Sequence, residues 1–120
     1  MAKGVDYAIK LPEQNEVNVQ LMMTMYHFYK RGYQRVALEP VYQQMIARLA
    51  LTDEQKESMT KDGAEPRIQA KIRSGRSELV KKKYLMPAQT DGKWQLTDEG
   101  LAIMKRMHLF ADPDEEKGRD

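Results

Sequence analysis

Between Glu13 and Arg31 apolar side chains recur at Val17, Leu21, Met25 and Phe28, the spacing of one buried face on an α-helix. Gly32 follows, where a helix C-cap takes a positive φ. A second apolar arc, Val19, Met22, Met23 and Tyr26, falls across the wheel and leaves only Gln20, Thr24, His27 and Arg31 as a polar strip. Such a helix has more apolar surface than one neighbour covers. Two arrangements satisfy it. It lies centrally between two other helices, or Val19, Met22, Met23 and Tyr26 form a homodimer or partner surface that uses the adaptable shape of methionine.

Further along, Glu39-Pro40 reads as a helix start, because proline at the first helical position lacks only an N–H that would have no partner. Val41, Tyr42, Met45, Ile46 and Leu49 supply its apolar stripe. The intervening Tyr33-Gln34-Arg35-Val36 is short and extended, suited to a small first strand. Thr52-Asp53-Glu54-Gln55 fits a capping box and predicts a short helix to about Met59. The Asp62-Gly63 turn pair breaks that helix, and Glu65-Pro66 opens the next.

From Pro66 to Lys83, Ile68, Ile72, Gly75 and Leu79 fall within about 60° on the helical wheel and form a buried seam. A mid-helix glycine costs roughly 1 kcal/mol against alanine, so Gly75 points to a close approach by another element. The opposite face carries Arg67, Ala70, Arg73, Ser74, Ser77 and Lys81, with no bulky apolar group. Cationic and hydroxyl side chains on such a face can meet phosphates and base edges in a major groove. In helix-turn-helix folds the N-terminal half of that helix meets the bases, which places Arg67, Lys71, Arg73 and Ser74 foremost and Arg76, Ser77 and Lys81 behind them. Lys81, Lys82 and Lys83 also complement the helix dipole, by roughly 0.3 to 1 kcal/mol each, so their presence is partly structural.

Tyr84-Leu85-Met86 and Lys93-Trp94-Gln95-Leu96 read as the two strands of a hairpin around Pro87 to Gly92, with Asp91-Gly92 supplying a turn. Trp94 and Leu96 alternate with Lys93 and Gln95, so one face packs inward. Thr97 caps a last helix bearing Leu101, Met104, Met107 and His108. Basic helix, hairpin and capped helix in this order predict a mainly α chain with a small β-hairpin wing (α+β), a winged helix-turn-helix. Gln89, Thr90 and Lys93 stand near the tip of wing 86–95, within reach of a DNA backbone.

The block Val36 to Met104, above all ELVKKKYLMPAQTDGKWQLTDEGLAIM, resembles the winged-helix domain at the N-terminus of Mrr-type restriction endonucleases. In that family a helix ending in a basic LKKAGL-like turn leads into a hairpin with an aromatic-bearing strand, then a helix start of threonine, acid and glycine. Val80 to Leu85, Trp94, and Thr97 to Gly100 resemble these in turn, although Tyr84 stands where a glycine is usual. The resemblance implies double-stranded DNA as partner, bound ahead of a nuclease domain. The expected role is in restriction or transcription regulation, as transcriptional control or the targeting of a nuclease or other effector. These 120 residues carry no nuclease domain of their own. The acids of Asp112 to Asp120 lack the strand-borne acid, spacer and Glu-x-Lys arrangement that holds a catalytic cation, so this chain is not expected to cut DNA.

Composition sharpens the picture in two places. The chain's net charge is only +2, but from Glu65 to Lys83 seven basic residues face two acidic ones, a local +5. Between Asp112 and Asp120 five acidic residues meet two basic ones with no large apolar side chain to anchor them. At 120 residues the expected division is a flexible arm over 1–12, the winged-helix domain over 13–111, and a disordered acidic tail or truncated linker over 112–120. The absence of cysteine excludes disulfides and thiolate zinc sites. His27 and His108 sit on different helices among apolar neighbours, and there is no phosphate-cradling glycine loop. Neither a cofactor, a metal nor an enzymatic role is expected. Without a signal sequence or membrane span, the expected location is cytoplasmic or nucleoid-associated.

Overall fold

A computed structural model describes the backbone of residues 9–111 and the side chains of residues 9–107. Most of the proposed N-terminal arm, the acidic tail and the His108 side chain lie outside the described residues.

Helix α1 spans Gln14–Lys30 and stops at Gly32, whose φ is 96°. It is the central element, packed against α2 (Leu38–Arg48), α4 (Arg67–Lys81), α5 (Asp98–Ala111) and strand β1 (Arg35–Val36). Val17, Leu21 and Met25 enter the core as their spacing requires. So does Thr24, nominally on the polar strip, whose hydroxyl donates to Met45 Sδ at 3.2 Å. The second apolar arc is divided rather than wholly exposed: Met22 and Tyr26 are buried, at 6% and 8% exposure, while Val19 and Met23 remain open at 47% and 37%. The central placement therefore covers two of the four residues of that arc.

Two helix starts differ from the sequence reading. Helix α2 begins at Leu38 with Ala37 as N-cap, so Pro40 is the third helical residue, still inside the first turn where no intrahelical acceptor is needed. Pro66 is the N-cap of α4, extended at φ −61° and ψ 137°, and its carbonyl accepts from the Gln69 and Ala70 N–H groups. The cause is the preceding chain. Met59 and Pro66 form an antiparallel bridge, with Thr60 N–H on the Glu65 carbonyl at 2.8 Å and Arg67 N–H on the Ser58 carbonyl at 2.7 Å. This bridge also ends helix α3 (Asp53–Glu57) short of Met59, while the Thr52–Gln55 capping box forms as read.

Strand β1 pairs antiparallel with β2 (Trp94–Gln95), Arg35 opposite Gln95 and Val36 opposite Trp94. On the other side, Leu85 bridges Leu96, Met86 N–H donates to the Gln95 carbonyl at 2.8 Å, and Thr97 N–H donates to the Tyr84 carbonyl at 3.0 Å. The Trp94–Leu96 segment thus runs between β1 and the Leu85 segment, and Trp94 and Leu96 face the core. The result is a mainly helical chain with a small antiparallel sheet, a winged-helix-like α+β architecture.

The turn from α4 into the wing takes its positive φ at Lys83 (67°), while Tyr84, the residue in place of the family's glycine, needs none. Lys83 and Tyr84 N–H groups donate to the Val80 and Leu79 carbonyls, closing the end of α4. Thr97 then ties α5 to the same turn. Its hydroxyl donates to the Lys83 carbonyl at 2.5 Å and accepts from Gly100 N–H at 2.9 Å.

Candidate nucleic-acid interface

Helix α4 is held by its inner side. Ile68, Ile72, Gly75 and Leu79 are buried, as the wheel predicts. Along one flank α1 adds a polar seam: Gln14 Nε2 donates to Asn18 Oδ1 at 2.9 Å and to the Lys71 carbonyl at 3.0 Å, and Asn18 Nδ2 donates to Glu78 Oε1 at 3.0 Å. These bonds fix which side of α4 faces out. The outward side presents Arg73, Ser74, Ser77 and Lys81, all exposed, with Ala70 half-buried.

The arginines expected to lead this surface are both engaged in intramolecular contacts. Arg67 is half-buried, its Nη1 donating at 2.9 Å both to the Ile9 carbonyl and to Ser58 Oγ. It is drawn back because its own N–H is pinned to the Ser58 carbonyl at the chain's entry into α4. Arg73 is exposed but paired: Nη1 lies 2.5 Å from Glu65 Oε1, Nη2 lies 2.7 Å from Oε2, and Nη1 also reaches the Tyr42 hydroxyl at 3.3 Å. The Glu65 carboxylate, then the Tyr42 hydroxyl, push the Arg73 guanidinium further toward its charged form. Reciprocally, the Arg73 hydrogen bonds hold the Glu65 carboxyl below its ordinary value. Lys71 is half-buried on the α1 side, off the centre of the outward face.

Arg76 joins the helix to the wing. Its guanidinium carbon stands 5.2 Å from the centroid of the Trp94 ring, a cation–π contact, and its Nε is buried without a hydrogen-bond partner. Lys81, Lys82, Lys83 and Lys93 are exposed, and no ion pair or side-chain hydrogen bond engages them among the described residues. Gly92 makes the turn as read, with φ 74° and its N–H on the Gln89 carbonyl at 3.0 Å. At the tip Thr90 is open, whereas Gln89 is half-buried with its amide donating to the Pro87 carbonyl at 2.8 Å. The wing is also tied to β1. Arg35 pairs with Asp91, whose carboxyl is held below its ordinary value by the Lys93 N–H and then by the Arg35 charge.

The roles of four residues escaped the sequence reading. Glu65 registers there only as a helix-start residue and Tyr42 only as part of an apolar stripe, because their link to Arg73 spans α2, a loop and α4. The Arg35–Asp91 pair needs the β1–β2 register, which brings together residues 56 apart in sequence. Opposite charge was the available signal for the two ion pairs, and sequence distance concealed it; nothing in the sequence marked Tyr42.

A groove of about 330 Å³ opens between α1 and α5. Val19, Met22, Met23, Leu79, Met104 and Met107 line it, with Lys82 and Tyr84 at the end of α4.

Fold and surface together define a winged-helix-like module that presents a cationic, hydroxyl-bearing helix face beside a wing. The Mrr N-terminal domain family matches residues 19–106, and the chain belongs to that family. The match begins within α1, so the central helix is part of the family domain as well as the helix, wing and capped helix that carry the resemblance. No curated protein and no solved structure matches the chain.

Proposed function

We propose that this domain binds duplex DNA, with the outer face of α4 in the major groove and wing 86–95 on the backbone, serving transcriptional control or the targeting of an effector. The observation that carries this reading is the set of exposed lysines at the end of α4 and on the wing, Lys81, Lys82, Lys83 and Lys93, none of them in a close ion pair among the described residues, beside the open hydroxyls of Ser74 and Ser77. Family membership is consistent with it. Because Arg67 and Arg73 are engaged internally, the accessible groups are mainly suited to phosphate, and phosphate contacts position a protein without reading sequence. Binding is then driven largely by counterion release, with log K falling against log salt by about 0.9 per neutralised phosphate. Fluorescence anisotropy of a labelled random-sequence duplex across a salt series tests this. A steep slope that lessens by about one for each of Lys81, Lys82 and Lys83 changed to alanine is expected.

A second reading, a homodimer or protein contact through helix 13–31, retains one specific support. Val19, Met23 and Met107 stand exposed at 47%, 37% and 48% around the α1–α5 groove. Sedimentation velocity tests it with Val19→Lys and Met23→Lys, which change exposed positions and spare the buried Met22 and Tyr26. An unchanged monomer removes this surface from consideration.

A further inference from the structure

We propose that Glu65 attenuates sequence-independent DNA binding, holding Arg73 in an intramolecular ion pair that withholds it from the phosphate backbone. The proposal rests on the DNA reading above. Arg73 lies on the outward face of α4, where a cation would otherwise strengthen binding to any duplex. Both Glu65 oxygens instead occupy its Nη1–Nη2 edge, at 2.5 and 2.7 Å, and Tyr42 adds a third contact at 3.3 Å. That edge is one with which a guanidinium takes two phosphate oxygens or the paired acceptors of guanine.

Glu65 is not a freely swinging partner. Its carbonyl accepts from Thr60 N–H, and the next residue, Pro66, is bridged to Met59 and caps α4. The carboxylate is therefore delivered from a fixed loop and Arg73 from a fixed helix, so the pair forms with little loss of backbone freedom. A phosphate offers this edge two acceptors at most, no more than Glu65 already supplies and fewer than Glu65 and Tyr42 supply together, so the exchange gains Arg73 no hydrogen bond. Arg73 consequently adds little to sequence-independent binding while Glu65 is present.

The test is a double-mutant cycle on an A·T-only duplex, where Arg73 has phosphates but no guanine to meet. Wild type, Glu65→Gln, Arg73→Ala and the double variant are compared by fluorescence anisotropy at one low salt concentration, with Glu57→Gln as a control for lost negative charge and Glu65→Ala as a second release variant. Arg73→Ala alone is expected to change affinity by less than about twofold, and release of Arg73 by Glu65→Gln to tighten binding by about fivefold. Adding Arg73→Ala to Glu65→Gln removes that gain, whereas Glu57→Gln gains less than about twofold. Equal losses from Arg73→Ala with and without Glu65, or a gain no larger than that of Glu57→Gln, would overturn the proposal while leaving DNA binding intact. Absence of duplex binding by every variant would overturn the DNA reading and this proposal together.

Discussion

The side chain of Asn18 occupies the space where a Cβ on Gly75 would stand. This one contact explains a glycine in the middle of α4. It also fixes the rotation of α4 against α1, because Asn18 is held from both sides by Gln14 and Glu78.

Gly75→Ala should therefore destabilise the fold, although alanine is the better helix former by roughly 1 kcal/mol. Displacing a buried, doubly bonded Asn18 is expected to outweigh that gain and leave a net loss of about 1 to 2 kcal/mol. Urea unfolding monitored by circular dichroism measures it. Asn18→Ala combined with Gly75→Ala should recover part of the loss; strictly additive losses would mean that the two positions do not meet.

Gly100→Ala is the harsher change. A Cβ there meets the Tyr84 backbone carbonyl, which accepts from Thr97 N–H and cannot swing aside like a side chain. A loss of about 2 kcal/mol or more is expected in urea unfolding. A substitution tolerated without loss would show that the start of α5 and the α4–wing turn are not tightly joined.

The Glu65–Arg73 pair should appear in the pH dependence of stability. Arg73 lowers the Glu65 carboxyl pKa in the folded state from its ordinary 4.5. The pair's contribution is thus fully present above that ordinary value and is lost as pH falls through the lower folded value. The difference in unfolding midpoint between wild type and Glu65→Gln should be constant near neutral pH and shrink on acidification below 4.5. A difference that grows with acid would contradict the pairing.

Arg76→Ala should weaken the seam between α4 and the wing by about 0.5 to 1 kcal/mol through the lost contact with Trp94. Trp94 is the chain's only tryptophan, so its emission reports that environment without a label. An unchanged emission spectrum and an unchanged unfolding midpoint would remove Arg76 from the seam.

Local signals made most of this fold legible. The Thr52–Gln55 capping box, the Gly32 and Gly92 turns, the Ile68–Leu79 seam and the Thr97 cap each depend on residues a few positions apart, where periodicity and turn chemistry dictate the outcome. The Pro40 and Pro66 boundaries shifted because proline is compatible with several first-turn positions, and at Pro66 a bridge to Met59 selected among them. Periodicity exposes Arg73, Ser74, Ser77 and Lys81 on the outward face of α4, but it does not reveal which of that face's cations are free. Whether Arg67 and Arg73 are available depends on Ser58, the Ile9 carbonyl, Glu65 and Tyr42, partners that only the tertiary fold brings within hydrogen-bonding distance. Similarly, Met22 and Tyr26 read as surplus apolar surface until α1 is placed at the centre of the molecule.

The most direct test of the central claim is the salt dependence of binding to a random-sequence duplex, measured for wild type and for the variant with Lys81, Lys82 and Lys83 changed to alanine. Wild type is expected to show a steep linear fall of log K with log salt, and the triple variant a slope smaller by about three. No binding at low salt, or the same slope for both proteins, would contradict a DNA surface built on the end of α4.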